Sequence, residues 1–151
     1  MLSEYQKIVN ELHDAFNEYY VNYNKGAKKL DNFNLTVQQE NMLLYVIRNQ
    51  RITVNEIAAN FSITKSAVSQ VLSHLESRDF IRRESNPNDR RESFILLGQE
   101  GKKYADLIAE ADRAFVKKYS SQVEIEDLKQ VLRTIKKLNQ VIKESNEAQS
   151  R

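Results

Sequence analysis

Between Thr53 and Arg91 the chain reads TVNEIAANFSITKSAVSQVLSHLESRDFIRRESNPNDRR, and this stretch decides the fold. Thr53-Val54-Asn55-Glu56 is a capping box, in which a Thr hydroxyl accepts from the third helical N–H while Glu56 reaches back to the Thr N–H. A helix of about two turns follows, carrying Ile57, Ala58 and Phe61, and it breaks at Ser62-Ile63. Thr64 opens a second helix, Lys65 to about Arg78, with an apolar face of Ala67-Val68, Val71-Leu72 and Leu75. Two helices joined by so short a turn form a helix-turn-helix, whose second helix suits a DNA major groove about 12 Å wide.

A basic strand pair follows at once. Phe80-Ile81-Arg82-Arg83-Glu84 is a short strand candidate that runs into the turn formers Ser85-Asn86-Pro87-Asn88-Asp89, which hold the chain's only proline. Proline pre-sets the backbone for a tight turn and Asn or Asp tolerates its unusual dihedrals, so this is a loop tip. Arg90-Arg91-Glu92-Ser93-Phe94-Ile95-Leu96-Leu97 ends apolar and reads as the returning strand. Alone, a polar hairpin with a few arginines is an ordinary solvated loop. Directly behind a helix-turn-helix it reads as a wing, and the fold class becomes mainly α with a small β-hairpin wing.

These residues resemble the multiple antibiotic resistance regulator (MarR) family of winged-helix repressors. The resemblance rests on Phe61-Ser62-Ile63-Thr64-Lys65-Ser66-Ala67-Val68-Ser69 and on Leu75-Glu76-Ser77-Arg78 leading into Phe80-Ile81-Arg82-Arg83. It rests also on the tip Asn86-Pro87-Asn88-Asp89-Arg90-Arg91, with its Asp-x-Arg, and on Leu97 followed by Gly101. It covers about residues 35–104. Two positions depart from the family pattern. Gly98 stands where the family usually places a helix-capping Thr, and glycine is itself a tolerated cap. Asp79 stands where the family usually has glycine after the recognition helix, and Asp is a permitted but poorer left-handed residue.

Candidate DNA contacts fall on these elements. Ser62, Thr64, Lys65 and Ser66 mark the turn and the N-terminal end of the second helix, where side chains reach base edges and free N–H groups favour phosphate. Ser69 and Gln70 lie on the next turn of the exposed face. Gln binds adenine in bidentate fashion, so Gln70 is the candidate for a sequence preference. His74, one turn further, reads as a phosphate or surface contact. For the wing, the resemblance implies that Arg91 enters the minor groove with Asp89 holding it in place; a narrow A·T groove rewards such an insertion. Arg82, Arg83 and Arg90 would face phosphate, supplying affinity rather than specificity. The competing reading of each is an ordinary solvated helix face or loop.

With 151 residues the chain holds one real core. The expected organisation is a single domain over 1–151, with residues 35–98 as the DNA-binding lobe and 1–34 and 100–151 as dimerisation helices. The chain has no cysteine, so neither a disulfide framework nor a thiol sensor is available. No apolar run approaches the ~18 residues that span a bilayer. Glu4 and Lys7 interrupt the first residues, unlike a signal peptide, so cytoplasmic residence without a membrane partner is expected. A net charge of +2 is too mild to prove nucleic-acid binding; any basic face must come from local clustering.

The flanks read as an assembly device. Leu2, Tyr5, Ile8/Val9, Leu12, Phe16, Tyr19/Tyr20 and Tyr23 recur at helical spacing near the N-terminus. Leu128, Val131, Ile135, Leu138 and Ile142, reinforced by Leu132 and Val141, form a heptad-like seam near the C-terminus. Between them, Glu100 to about Tyr119 carries Tyr104, Leu107/Ile108, Ala111 and Phe115 in the same manner. Either the stripes pack inside one chain or they join two. A homodimer is also what the resemblance implies, and it would set two recognition helices about one DNA turn (~34 Å) apart on a pseudo-palindromic site.

The resemblance further implies release of DNA by a small aromatic or phenolic effector in a crevice beside the dimer helices. His13, Tyr19, Tyr20, Tyr23, Phe33 and Tyr45 are the candidates for lining it, with Lys28, Lys29 or His13 meeting an anion. Against this stands the plain alternative that aromatics at helical spacing are core. Asn24 to Asn34 reads as a linker between the first two helices. No metal and no cofactor is expected, since His13 and His74 are the only histidines and lie far apart. An enzyme is not expected either: Gly26, Gly98 and Gly101 never cluster into a phosphate loop, and no nucleophile elbow appears. The reading is a DNA-binding transcriptional regulator, a repressor by resemblance. The alternatives are a winged-helix regulator without an effector, of the accessory-regulator type, or a winged-helix protein-interaction module.

Overall fold

Helix ends closed by short hydrogen bonds set the architecture of the computed structural model, which describes residues 1–149. In chain order the elements are α1 (Leu2–Gly26), a 3-10 turn (Lys28–Phe33), α2 (Val37–Arg48), β1 (Ile52–Thr53), α3 (Val54–Phe61) and α4 (Lys65–Ser77). Then come β2 (Ile81–Ser85), β3 (Ser93–Leu97), α5 (Gln99–Lys118), a second 3-10 turn (Ser120–Gln122) and α6 (Ile125–Gln149).

The capping box expected at Thr53 is present: its N–H donates to Glu56 Oε2 at 2.8 Å, and the Glu56 N–H donates to Thr53 Oγ1 at 3.2 Å. A second one, Thr36 with Gln39, opens α2. α3 ends where Ser62 turns left-handed (φ 53°), which lets the Ile63 N–H reach the Ala58 carbonyl at 3.2 Å. Thr64 then caps α4, its Oγ1 accepting from the Ala67 N–H at 3.1 Å. α4 closes the same way. Asp79 takes the left-handed position (φ 58°) and the Phe80 N–H donates to the Leu75 carbonyl at 2.9 Å. Asp thus does what glycine does elsewhere, at a cost on the order of 1 kcal/mol.

The wing is the expected hairpin with one strand added. β2 and β3 pair antiparallel with Ile81 opposite Leu97 and Ser85 opposite Ser93, and β1 pairs on the far side of β3 with Ile52 opposite Ile95. The strand order is therefore β1-β3-β2, which ties the wing to the entry of α3. At two residues, β1 is too short for an alternating pattern to announce it.

The core gathers one face from each element of this lobe: Leu43 of α2, Ile57 of α3, Val68, Leu72 and Leu75 of α4, Ile81 and Ile95 of the sheet and Tyr104 of α5. Each such aliphatic side chain contributes about 1.5–3 kcal/mol by burial, so stability rests here and leaves the polar face of α4 free for other work. The Tyr104 O–H donates to the Glu40 carboxylate at 2.9 Å; burial first, and then that carboxylate, push the phenol well above its ordinary range. Instead of a plain linker, residues 24–34 hold the end of α1 and the 3-10 turn, whose Leu30 and Phe33, three apart and eclipsed, pack against the core.

The chain forms two units, one through Ala111 and one from Asp112. In the first, α1 buries no residue and leaves Leu2, Tyr5, Ile8, Leu12 and Phe16 exposed. In the second, α6 buries none and leaves Leu128, Val131, Leu138 and Ile142 exposed. Each stripe thus lies open within its own unit. Among the described residues no helix is long and apolar enough to cross a membrane.

Candidate nucleic-acid interface

Burial of Val68, Val71, Leu72 and Leu75 fixes which way α4 faces. The opposite side carries exposed Lys65, Ser66, Gln70 and His74, with half-buried Ser69 between them. Ser62 is exposed in the turn, while the Thr64 hydroxyl is committed to its cap. Lys65 and Ser66 thus sit on the first turn of the helix, where backbone N–H groups lack partners within the helix.

The wing tip is shaped by its own side chains. Asn86 Oδ1 accepts from the Asn88 N–H at 2.9 Å, folding the chain around Pro87. Asp89 Oδ1 accepts from the Arg91 N–H at 3.0 Å, with the Arg91 Nε 3.5 Å away. The backbone bond is the firm one; the side-chain contact is long, and the Arg91 side chain is 93% exposed. Asp89 therefore orients the base of Arg91 and leaves its guanidinium projecting into solvent.

Strand alternation separates the arginines of β2. Arg82 is exposed, whereas Arg83 is half-buried on the other face and holds its Nε 3.6 Å from the Glu76 carboxylate of α4. Arg83 is thus a strut between the wing and α4, a partner that local spacing does not assign to it. Arg90 is exposed on the tip.

Helix and wing face each other across a cleft of about 430 Å³, lined by Val54, Asn55, Lys65, Ser69, Arg83, Asp89, Arg91, Glu92 and Ser93. Of the expected DNA contacts, it brings together Lys65, Ser69, Arg83, Asp89 and Arg91. Ser62, Thr64, Ser66, Gln70, His74, Arg82 and Arg90 lie outside it. Asn55 and Glu92 are additions: Asn55 Nδ2 donates to Glu92 Oε1, pinning the wing's return to the first turn of α3. The two are 37 residues apart, and no local pattern pairs them. Three cations meet two carboxylates in the cleft, so its basic character is moderate.

The effector candidates are dispersed. Tyr19 and Tyr20 are exposed on α1, with Tyr19 meeting Tyr20 edge-on (centroids 5.9 Å apart) and stacking with Tyr23 (6.5 Å). His13 is exposed on the same helix. Phe33 packs edge-on against Tyr104 (5.1 Å) and Phe80 (5.8 Å), and Tyr45 against Phe61 (5.6 Å). Phe33 and Tyr45 are thus built into the lobe's aromatic packing. Among the described residues no group of three or more His, Cys, Asp or Glu side chains is placed to hold a metal ion.

Comparison with known proteins agrees with this geometry. A family model described as the MarR family matches residues 33–92. The uncharacterized HTH-type transcriptional regulator YwhA of Bacillus subtilis is 30% identical over 122 residues, covering 78% of this chain and 88% of that protein. The crystal structure of the S. aureus MepR–DNA complex superposes with a TM-score of 0.62 at 26% identity, covering 83% of this chain and 94% of the other. Streptococcus pneumoniae FabT in complex with DNA reaches a TM-score of 0.72 over 93% of this chain and 98% of its own; at 19% identity it speaks for the fold alone. With the family match falling on the helix-turn-helix and wing, the chain belongs to the MarR family of winged helix-turn-helix transcriptional regulators, which are not enzymes.

Proposed function

We propose that this protein is a homodimeric, sequence-specific double-stranded DNA-binding repressor that recognises a pseudo-palindromic operator in the cytoplasm. Residues 35–98 form the DNA-binding lobe of one domain, and 1–34 and 100–151 supply its dimerisation helices. The observation that carries this reading is the cleft in which Lys65 and Ser69 of α4 face Arg83 and Arg91 of the wing. A helix lying in a major groove with a finger reaching the adjacent minor groove needs these two elements side by side. MepR and FabT, with which the chain shares its fold, have both been crystallised with DNA.

Roles follow from position. Lys65, Ser66, Ser69 and Gln70 reach base edges or flanking phosphate, with Ser62 and Thr64 at the helix entry. Arg91, oriented by Asp89, enters the minor groove; Arg82, Arg90 and His74 meet phosphate, and Arg83, held by Glu76, meets it from within the cleft. The open apolar stripes of α1 and α6 support a second copy as partner, because Leu, Ile and Val at three-four spacing form a seam that a facing helix covers.

Release by a small aromatic or phenolic effector completes the proposal, supported by exposed Tyr19 and Tyr20 on α1, the helix that also carries His13. A second reading, a regulator without an effector, is favoured by the packing of Phe33 and Tyr45 into the lobe. A melting temperature that rises with the concentration of a phenolic ligand selects the first; a flat response across a phenolic series selects the second.

Arg91→Ala tests the DNA-binding part. Sedimentation and circular dichroism should match the parent, while affinity for duplex DNA falls and the slope of log K against log salt shrinks by about one. Equal affinity and an equal slope would remove the wing from the mechanism.

A further inference from the structure

Arg78 caps the C-terminal end of α4, away from the helix end that faces the cleft. Its Nη1 donates to the Asn34 carbonyl at 3.2 Å and its Nη2 donates to the Phe33 carbonyl. The guanidinium carbon lies 5.0 Å from the centroid of the Phe80 ring, which itself packs edge-on against Phe33. Phe33 ends the 3-10 turn and left-handed Asn34 (φ 49°) caps it, so these are carbonyls that the turn cannot satisfy internally. The bonded residues are 44 and 45 apart in sequence, so the contact is a tertiary clasp and not a local cap.

The turn that Arg78 grips is the root of the N-terminal helix. Ala27, between α1 and the turn, is buried, and Leu30 and Phe33 anchor the turn on the core. A planar fork with two donors on consecutive carbonyls fixes both distance and rotation, which a single ammonium cannot do.

We propose that Arg78 is a positioning residue that locks the end of the recognition helix to the root of α1, so that the clasp holds the separation of the two recognition helices in the dimer. This rests on the dimeric, palindrome-binding reading above. Phe80 stiffens the clasp by stacking under the guanidinium, and neither residue touches the DNA.

The test compares the full-length wild type with Arg78→Ala and Arg78→Lys. Two duplexes serve as probes: one carries both half-sites recovered by selection from a random-sequence pool, and the other has one half-site scrambled. Both variants should lose about tenfold on the two-site duplex and less than about twofold on the one-site duplex, because a fixed spacing acts only when both sites are engaged. Hydrogen exchange over residues 28–34 should quicken in both variants, while residues 68–75 of α4 keep their protection. Lysine keeps the charge and loses the fork, so it should not rescue. Rescue by lysine would make Arg78 a phosphate contact and overturn the proposal. Equal losses on the two duplexes, or unchanged exchange over 28–34, would overturn it as well. A wild type with no preference for the two-site duplex would sink the palindrome reading and with it the spacing role; the exchange data would still show whether Arg78 holds the turn.

Discussion

A Cβ placed on Gly98 would stand 2.3 Å from the Asp79 carbonyl oxygen and 2.8 Å from its carbon. That carbonyl already accepts from the N–H groups of Glu100 at 3.0 Å and Gly101 at 3.4 Å, so it caps α5 in place of a threonine side chain. The two departures from the family pattern therefore occupy one place: the backbone at Asp79 does the capping, and Gly98 leaves room for it. Gly98→Thr, which restores the family residue, should destabilise the fold by about 1–3 kcal/mol, seen as a lower urea midpoint. An unchanged or higher midpoint would mean that the backbone yields and that the pairing is incidental. At the same scale, Gln70 is exposed one turn along α4 from Ser66. Gln70→Ala should cost ~1–3 kcal/mol on operators with the preferred base and little on others, read by competition among operator variants. A uniform loss over all sequences would place Gln70 on the DNA backbone.

Elements differ in how far neighbouring residues announce them. The capping box at Thr53, the break at Ser62, the cap at Thr64 and the tip around Pro87 are local chemistry, and each was legible within a few residues. β1 was not, because two residues carry no period, and neither was the 3-10 turn at 28–33, whose polar lysines mask the Leu30–Phe33 pair. What fixes the wing was also hidden: Arg83 pairs with Glu76 and Asn55 with Glu92 across elements, and such contacts leave no mark on local spacing. The Asn55–Glu92 bond makes the wing an appendage with a defined angle. Asn55→Ala, which removes the bond without changing the charge of the cleft, should raise hydrogen exchange over residues 86–91 without touching α4, and weaken DNA binding by about fivefold, the equivalent of one hydrogen bond near 1 kcal/mol. A wing with unaltered exchange would show that β1–β3 pairing alone sets the angle.

On the scale of the whole molecule, the family and its winged helix-turn-helix could be read from order and type of residues, because helix-turn-helix, wing and exit follow one another within residues 53–101. The apolar stripes of α1 and α6 were also legible as surfaces, and each remains uncovered within its own unit. Exposed Leu, Ile and Val along two 25-residue helices are a large apolar surface for a lone chain to leave in water, which is why a second copy is the partner proposed. Two-fold symmetry would then present α4 twice, in inverted orientation, and the DNA should carry the same symmetry. Sequencing the duplexes that the purified protein selects from a random pool measures this directly. The expected result is an inverted repeat with half-site centres about 10 base pairs apart. Enrichment of a single unpaired half-site, or of no sequence at all, would contradict it.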